Sequence, residues 1–179
     1  MLKKITLFLA ALLVVFVLVV MTRPADFRIT RSATLAAAPL AVFNQVNDFH
    51  QWEAWSPWAK LDPAARNTFE GPASGEGAGF KWAGNKDVGV GGMTILESRP
   101  GEFIRIRLVF EKPFAATNLS EFTFKPEGSG TLVTWSMSGR NGFLAKAVGL
   151  FMDCDKMVGG QFEKGLANLK AIVEVRPKS

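Results

Sequence analysis

Residues 103–110 read FIRIRLVF, and this stretch decides the fold. Isoleucine, leucine and phenylalanine at the even positions share one face, while Arg105 and Arg107 occupy the other, as in a β-strand with one buried face. This strand extends over 102–111, and shorter alternating runs separated by turn residues occur at 67–70, 79–82, 90–97, 117–125 and 131–138. Because the runs are too closely spaced for crossover helices, the sequence predicts an antiparallel meander.

The segments that flank the meander predict one more strand and several helices. Residues 26–35 alternate as a strand, Pro39 opens a short helical pattern, and a second helical turn follows around 49–55. From about Gly142 to Val175, apolar residues recur every three or four positions, which predicts one long amphipathic helix. Gly159 and Gly160 within it predict a kink or a close approach of another group. The apolar face of this helix comprises Phe143, Ala147, Phe151, Cys154, Val158, Phe162, Leu166, Leu169 and Ile172.

Three motifs carry a family resemblance: Trp52-x-x-Trp55-x-Pro57-Trp58, Gly130-Thr131-x-Val133-x-Trp135 and Gly165-Leu166-x-x-Leu169-Lys170. With the order of elements over residues 26–175, they resemble the helix-grip, START-like superfamily, also called SRPBCC or polyketide cyclase/dehydrase-like. The resemblance implies an α+β fold in which a curved antiparallel sheet of about seven strands wraps around a long C-terminal helix. It also implies a cavity between sheet and helix for lipids, steroids, polyketides or other apolar molecules. Since only some members are enzymes, it does not select a reaction.

The N-terminal segment predicts a membrane helix. Residues 5–22 contain no charge and follow Lys3 and Lys4. As a helix they span roughly 27 Å, close to the hydrocarbon thickness of a bilayer. A signal peptide is the alternative, but residues 21–25 offer no small-x-small cleavage site. We therefore expect an uncleaved anchor over residues 1–24 and a helix-grip domain over 25–179.

The orientation of this segment follows from the charges on its two sides. The short leading tail favours an N-terminus inside the cell and a domain outside the cytoplasm. Arg23, Arg28 and Arg31 nearly cancel the positive-inside bias of Lys3 and Lys4, so a cytoplasmic domain stays open.

Charge and composition exclude several classes of function. The chain has 21 Lys and Arg against 16 Asp and Glu, a net charge of +5. The basic residues are scattered and form no nucleic-acid motif, so we expect no nucleic-acid partner. The single cysteine, Cys154, excludes an internal disulfide and a cysteine metal cluster, and the single histidine, His50, excludes a multi-histidine site. We therefore expect neither a metal nor a cofactor.

Few residues suit catalysis. His50 and Glu53 are weak candidates for proton transfer, with a rim histidine and a solvated carboxylate as the ordinary alternatives. Cys154, on the apolar face of the long helix, predicts a small buried hydrophobe. Asp153 and Asp155 flank that face and are expected to point to solvent.

Aromatic and aliphatic side chains are better candidates for a binding site. Trp52, Trp55 and Trp58 fall within seven residues at the end of a helical pattern. Rigid aromatic area of this kind suits either a cavity entrance or a packed core. The predicted ligand-binding residues are Trp52, Trp55, Trp58, Phe80, Trp82, Met93, Ile106, Leu108, Phe122, Trp135 and Phe151.

These features favour a membrane-anchored, non-enzymatic domain that holds a hydrophobic or amphipathic small molecule, lipid-like or polycyclic. One alternative is a polyketide cyclase or dehydratase with His50 or Glu53 as the proton carrier. Another is a protein-interaction module assisting folding or stress responses, which requires an exposed apolar patch instead of an internal cavity.

Overall fold

Seven antiparallel strands form a single sheet in the computed structural model, which describes residues 1–174. The order across the sheet is β1-β7-β6-β5-β4-β3-β2, so β2 to β7 form a meander and β1 returns to pair with β7. The predicted meander is confirmed, and the strand bounds lie close to the predicted ones. The strands are β1 (Asp26–Leu35), β2 (Arg66–Glu70), β3 (Gly79–Ala83), β4 (Val90–Arg99), β5 (Phe103–Lys112), β6 (Ala116–Glu127) and β7 (Gly130–Arg140).

Within residues 1–174, five α-helices and one 3-10 turn accompany the sheet. Pro39 occupies the first turn of α2, where its fixed φ suits a helix start. The Asp48 carboxylate caps the 3-10 turn by accepting from the His50 backbone N–H at 2.9 Å. The helices are α1 (Leu2–Thr22), α2 (Pro39–Asn47), α3 (Trp52–Trp55), α4 (Phe143–Val148) and α5 (Cys154–Val173), with the 3-10 turn at Phe49–Gln51 between α2 and α3.

The core lies between the concave face of the sheet and α2, α3 and α5. Phe122 and Phe124 of β6 and Trp135 of β7 are buried on that face, as their alternation predicts. Phe162 and Leu166 of α5 are buried against the same core. The helix-grip architecture, an α+β fold in which a sheet holds a C-terminal helix, is therefore observed.

Two glycines let α5 approach the sheet closely. A Cβ at Gly165 would lie 2.7 Å from Cζ3 of Trp135, and a side chain at Gly159 would overlap the Arg31 guanidinium. The predicted close approach at Gly159 is confirmed. α5 is continuous across Gly159 and Gly160, from Cys154 to Val173.

The single long helix predicted from about Gly142 to Val175 is wrong in its first part, and Val175 lies outside the described residues. α4 ends at Val148, and the Asp153 carboxylate starts a new helix by accepting from the Lys156 N–H at 3.0 Å. This cap competes with a continuous helix because it satisfies backbone donors at the new start. Phe143, Phe151 and Cys154 are consequently exposed and not buried.

The N-terminal helix α1 stands apart from the sheet and contacts α4. Its most apolar window has a mean hydropathy of 3.0, so it is long and apolar enough to span a membrane or to serve as a signal anchor. The Phe16 ring lies 6.5 Å from the Phe151 ring, centroid to centroid, in a stacked arrangement. This pair joins the N-terminal helix to the segment between α4 and α5.

Candidate functional site

An aromatic cluster fills the inner part of the space between sheet and helix. Trp135 stacks on Phe162 at 4.1 Å and on Phe122 at 4.8 Å, and Trp55 meets it edge-on at 5.7 Å, all between ring centroids. Trp52 lies 4.6 Å from Trp55. The indole N–H groups of these two α3 residues donate to backbone carbonyls of α2, which holds both rings inward.

The structure places part of the predicted ligand-binding set in this packed core. Trp55 is fully buried and Trp52 is 6% exposed, so the cavity-entrance alternative does not hold for either ring. Trp58 is half-buried and packs edge-on against Trp135 and Phe162. The buried members of the predicted set are Trp52, Trp55, Ile106, Phe122 and Trp135.

A row of residues in direct register crosses the concave face beyond this cluster. Residues paired directly across neighbouring antiparallel strands point to the same face. Among its members, the predicted residues Phe80, Met93 and Leu108 pack against the core on one side and stay partly exposed. We call this set the Asn118 row; from β2 to β1 it consists of Phe69, Phe80, Met93, Leu108, Asn118, Gly139 and Phe27.

Asn118 is the polar residue of this apolar row. It is 8% exposed, and its Nδ2 contacts the Met137 sulfur at 4.0 Å. A thioether is a weak acceptor, and within residues 1–174 the side-chain amide makes no stronger hydrogen bond. The site therefore offers amide donors and a carbonyl acceptor in a row that is otherwise apolar.

Asn118 was missed in the sequence analysis, although a signal was present. It lies an even number of residues from Ser120, Phe122 and Phe124 in β6, so its side chain points to the same, buried face of the sheet. A buried amide needs a hydrogen-bond partner, so such a position is a candidate for ligand contact.

A second, outer row forms the rim of the face. Trp82 and Phe110 are half-buried, and their rings meet edge-on at 6.0 Å. Gly91 lies between them in register, and the Trp82 ring occupies the space that a side chain at Gly91 would need. The Trp82 indole N–H donates to the Val88 carbonyl at 3.0 Å, which fixes the ring over the face.

His50 lies at the β2 end of the Asn118 row. Its ring stacks on Phe69 at 4.0 Å, and its Nδ1 lies 2.7 Å from the Asp48 carboxylate. Partial burial raises the pKa of Asp48, but hydrogen bonds from the backbone N–H and ring of His50 outweigh it and hold that pKa below its ordinary value. The histidine side chain is 47% exposed, so it occupies a rim position and not an enclosed one.

Glu53 points away from this face. It is exposed on α3, while its neighbours Trp52 and Trp55 face the core. Among residues 1–174, no three His, Cys, Asp or Glu side chains are arranged to hold a metal ion.

Arg31 clamps β1 to α5 beside the site. Its guanidinium donates to Asp155 at 2.8 Å and to Glu163 at 2.7 Å. These hydrogen bonds, the one to Asp155 first, raise the pKa of Arg31 above its ordinary value, and the bond from Arg31 lowers the pKa of Asp155. Asp155 is exposed, as expected, and its carboxylate also pairs with this arginine beside Gly159.

Phe151, the remaining predicted residue, lies away from the concave face. It lines a surface groove of about 540 Å³ between the end of α1, α4 and the start of α5. Two cationic residues, Arg23 and Lys146, line the same groove. The predicted set is thus divided among the core, the concave face and this groove.

Comparisons with solved structures show the same fold. A Chromobacterium violaceum protein, CV1439, is 18% identical, with a TM-score of 0.60 over 86% of this chain and 100% of that one. The Aha1 dimer protein of Colwellia psychrerythraea is 14% identical, with a TM-score of 0.60 over 83% and 97%. The di-domain ARO/CYC BexL from the BE-7585A biosynthetic pathway is 14% identical, with a TM-score of 0.63 over 88% of this chain and 53% of that chain.

The sequence itself identifies the family. No curated protein matches the chain significantly. The family model described as polyketide cyclase / dehydrase and lipid transport matches residues 26–174, which covers the sheet, α2 to α4 and α5. The chain therefore belongs to the polyketide cyclase/dehydrase and lipid transport family.

Proposed function

We propose that this protein is a membrane-anchored binding protein that holds a hydrophobic molecule with one hydrogen-bonding group on the Asn118 row. The observation that carries this proposal is the buried Asn118 amide, whose Nδ2 reaches only a thioether. Its neighbours in register, Leu108 and Gly139, offer no polar side chain.

The energetics favour a ligand with a carbonyl or hydroxyl group. Burying an amide without a hydrogen-bond partner costs about 1–3 kcal/mol in proteins. The weak contact with the Met137 sulfur offsets only part of this cost, and a ligand oxygen that accepts from Nδ2 would offset more. The half-buried faces of Phe80, Met93 and Leu108 supply the apolar area that a lipid-like or polycyclic body would cover. Trp82 and Phe110 at the rim would flank its outer end.

A binding role accounts for the site better than acid–base catalysis. His50 stacks over β2 and Asn118 lies in β6, four strands away, which is about 19 Å along the sheet at the usual strand spacing. This separation argues against the two side chains acting on the same atom of a small substrate. The exposed Glu53 faces neither of them. The family description covers both cyclase/dehydrase and lipid transport, and this arrangement favours carriage over chemistry.

The anchor in this proposal is α1. Its hydropathy and length suit a single span, and Lys3 and Lys4 precede it, which favours an N-terminus inside the cell. The domain over residues 25–179 would then lie outside the cytoplasm, with its site close to the membrane from which a hydrophobic molecule is drawn.

The proposal is tested by native mass spectrometry of the full chain, purified from its native host in lipid nanodiscs. A bound hydrophobic molecule that persists after gas-phase release from the nanodisc supports it. Protein that carries no such molecule, and that also fails to bind fatty acid, sterol or polycyclic probes, would exclude it.

A further inference from the structure

The segment from α4 to the start of α5 exposes more apolar side chain than a water-facing surface warrants. Phe151 is 80% exposed, Leu144 55% and Phe143 51%. Met152 and Met157 follow on the same stretch and are also about half exposed. Contiguous apolar surface of this kind marks an interaction site.

The position of this segment beside α1 indicates what it contacts. Phe151 stacks on Phe16, which lies six residues before Thr22, the last residue of α1. At about 1.5 Å per residue, Phe16 is about 9 Å below the end of the helix. If α1 spans a bilayer, Phe151 is therefore at the depth of the acyl chains and not in water.

Charged side chains near the segment lie where we expect the lipid headgroups of the bilayer. Arg23 directly follows α1, and Lys146 of α4 faces the same groove of about 540 Å³. Lysine and arginine side chains at this level extend towards headgroups while their stems stay in apolar surroundings. The groove is lined by apolar residues, including Phe151 and Leu150, and by the charged residues Arg23, Lys146 and Asp153. The Asp153 carboxylate accepts from the Lys156 N–H at the start of α5.

A second element at the same end of the sheet agrees with this placement. Asp26 pairs with Arg140, so the start of β1 and the end of β7 lie beside the end of α1. Asn118 pairs with Gly139, which places the β5–β6 turn at that end too. Phe114 in this turn is 64% exposed. Two separate elements therefore present exposed aromatic rings on the α1 side.

We propose that α4 and residues 149–153 insert into the lipid leaflet that surrounds the end of α1, so that the occupant of this apolar surface is the phospholipid bilayer. This inference rests on α1 being a membrane anchor, as proposed above. It places the Asn118 end of the row within reach of lipid, because Phe27, Gly139 and Asn118 lie one or two residues from the same sheet end.

Site-specific fluorescence in proteoliposomes tests the insertion. The exposed Cys154 is first replaced by Ser, and single cysteines are then introduced in the full chain as Phe151→Cys, Leu13→Cys and Ser129→Cys. Each is labelled with an environment-sensitive nitrobenzoxadiazole dye in phosphatidylcholine/phosphatidylglycerol vesicles. Quenching by doxyl-labelled lipids reports lipid contact, and quenching by iodide reports water.

Ser129 is the matched control for a water-exposed site. It lies in the β6–β7 turn, eleven residues before Arg140, or about 36 Å away at the usual rise of a strand. We expect lipid quenching at positions 13 and 151, and iodide quenching at 129. Phe151 packs little, so its replacement should not unfold the domain.

Any other pattern of quenching would contradict either the insertion or the anchor. Iodide quenching at 151 with lipid quenching at 13 would leave the anchor in place and refute the insertion. Protection at 151 from both quenchers would show that protein, such as a second copy of the chain, covers this surface. Iodide quenching at both 13 and 151 would refute the anchor itself.

Discussion

The side chain of Asn118 occupies the space over Gly139, its direct partner in the neighbouring strand. A Cβ at position 139 would overlap Asn118 Oδ1 and lie 3.0 Å from Cε1 of Phe27. Glycine at 139 thus makes room for the amide on the concave face, and the two residues form one local unit.

Gly139→Ala is therefore expected to displace the Asn118 amide and to weaken ligand retention. Overpacking of this kind costs about 1–3 kcal/mol of folding free energy. The measurement combines denaturant unfolding with the amount of retained ligand. Gly142→Ala is the control, since nothing lies within 4 Å of the added carbon. Retention in Gly139→Ala equal to that of Gly142→Ala would show that the amide position is unimportant.

Alanine substitutions at two glycines of α5 are expected to change the stability of the protein in opposite directions. Gly165→Ala forces a methyl group against the Trp135 ring and should lower the free energy of unfolding by about 1–3 kcal/mol. Gly160→Ala meets open space and should raise it by about 0.5–1 kcal/mol, because alanine favours the helix. Denaturant melts of both variants test the packing of α5, and changes of the same sign would contradict it.

The tryptophan cluster is expected to behave as core. Trp55→Ala and Trp135→Ala should each cost about 3–5 kcal/mol, because each removes a fully packed ring. Phe114→Ala removes an aromatic ring that is 64% exposed and should change stability by less than about 0.5 kcal/mol. A small effect at Trp55, comparable to that at Phe114, would mean that its ring is not packed as described.

The free energy of unfolding should decrease in acid, because the ion pair between Arg31 and Asp155 is lost there. Hydrogen bonding to Arg31 lowers the pKa of Asp155 from the ordinary 3.8 in the folded protein. This stabilisation is fully present above the unfolded pKa and is lost as pH decreases through the lower folded value. Asp155→Asn should therefore flatten the decline of unfolding free energy below about pH 4. Glu53→Gln, at an exposed carboxylate, is the control, and equal slopes in the two variants would argue against the clamp.

Much of the fold was predictable because strand alternation and turn residues are local signals. The period of two in residues 103–110 placed Ile104, Ile106 and Leu108 on one face, and the structure agrees. The break between α4 and α5 was missed, since the apolar spacing continues through Phe151 while the cap at Asp153 starts a new helix. The spacing of hydrophobic residues alone does not reveal such a cap, because the capping residue is polar.

The site was less predictable because it depends on which pairs of strands meet. Phe80, Met93 and Leu108 were named from composition, but their alignment with Asn118 follows only from the register. Whether a tryptophan lines a cavity or fills the core depends on its distance from other rings, as for Trp55 and Trp135. Neither quantity can be obtained from the spacing of residues along the chain.

The central claim is that Asn118 hydrogen-bonds a hydrophobic ligand, and native mass spectrometry of the full chain from its native host tests it with three proteins. These are the unchanged chain, Asn118→Leu, and Thr123→Val, which removes a hydroxyl from the outer face of the same strand. We expect a retained ligand in the unchanged chain and in Thr123→Val. In Asn118→Leu, loss of a hydrogen bond worth about 1.5 kcal/mol should weaken binding about tenfold. Equal retention in Asn118→Leu and the unchanged chain, or no ligand in either, would contradict the claim.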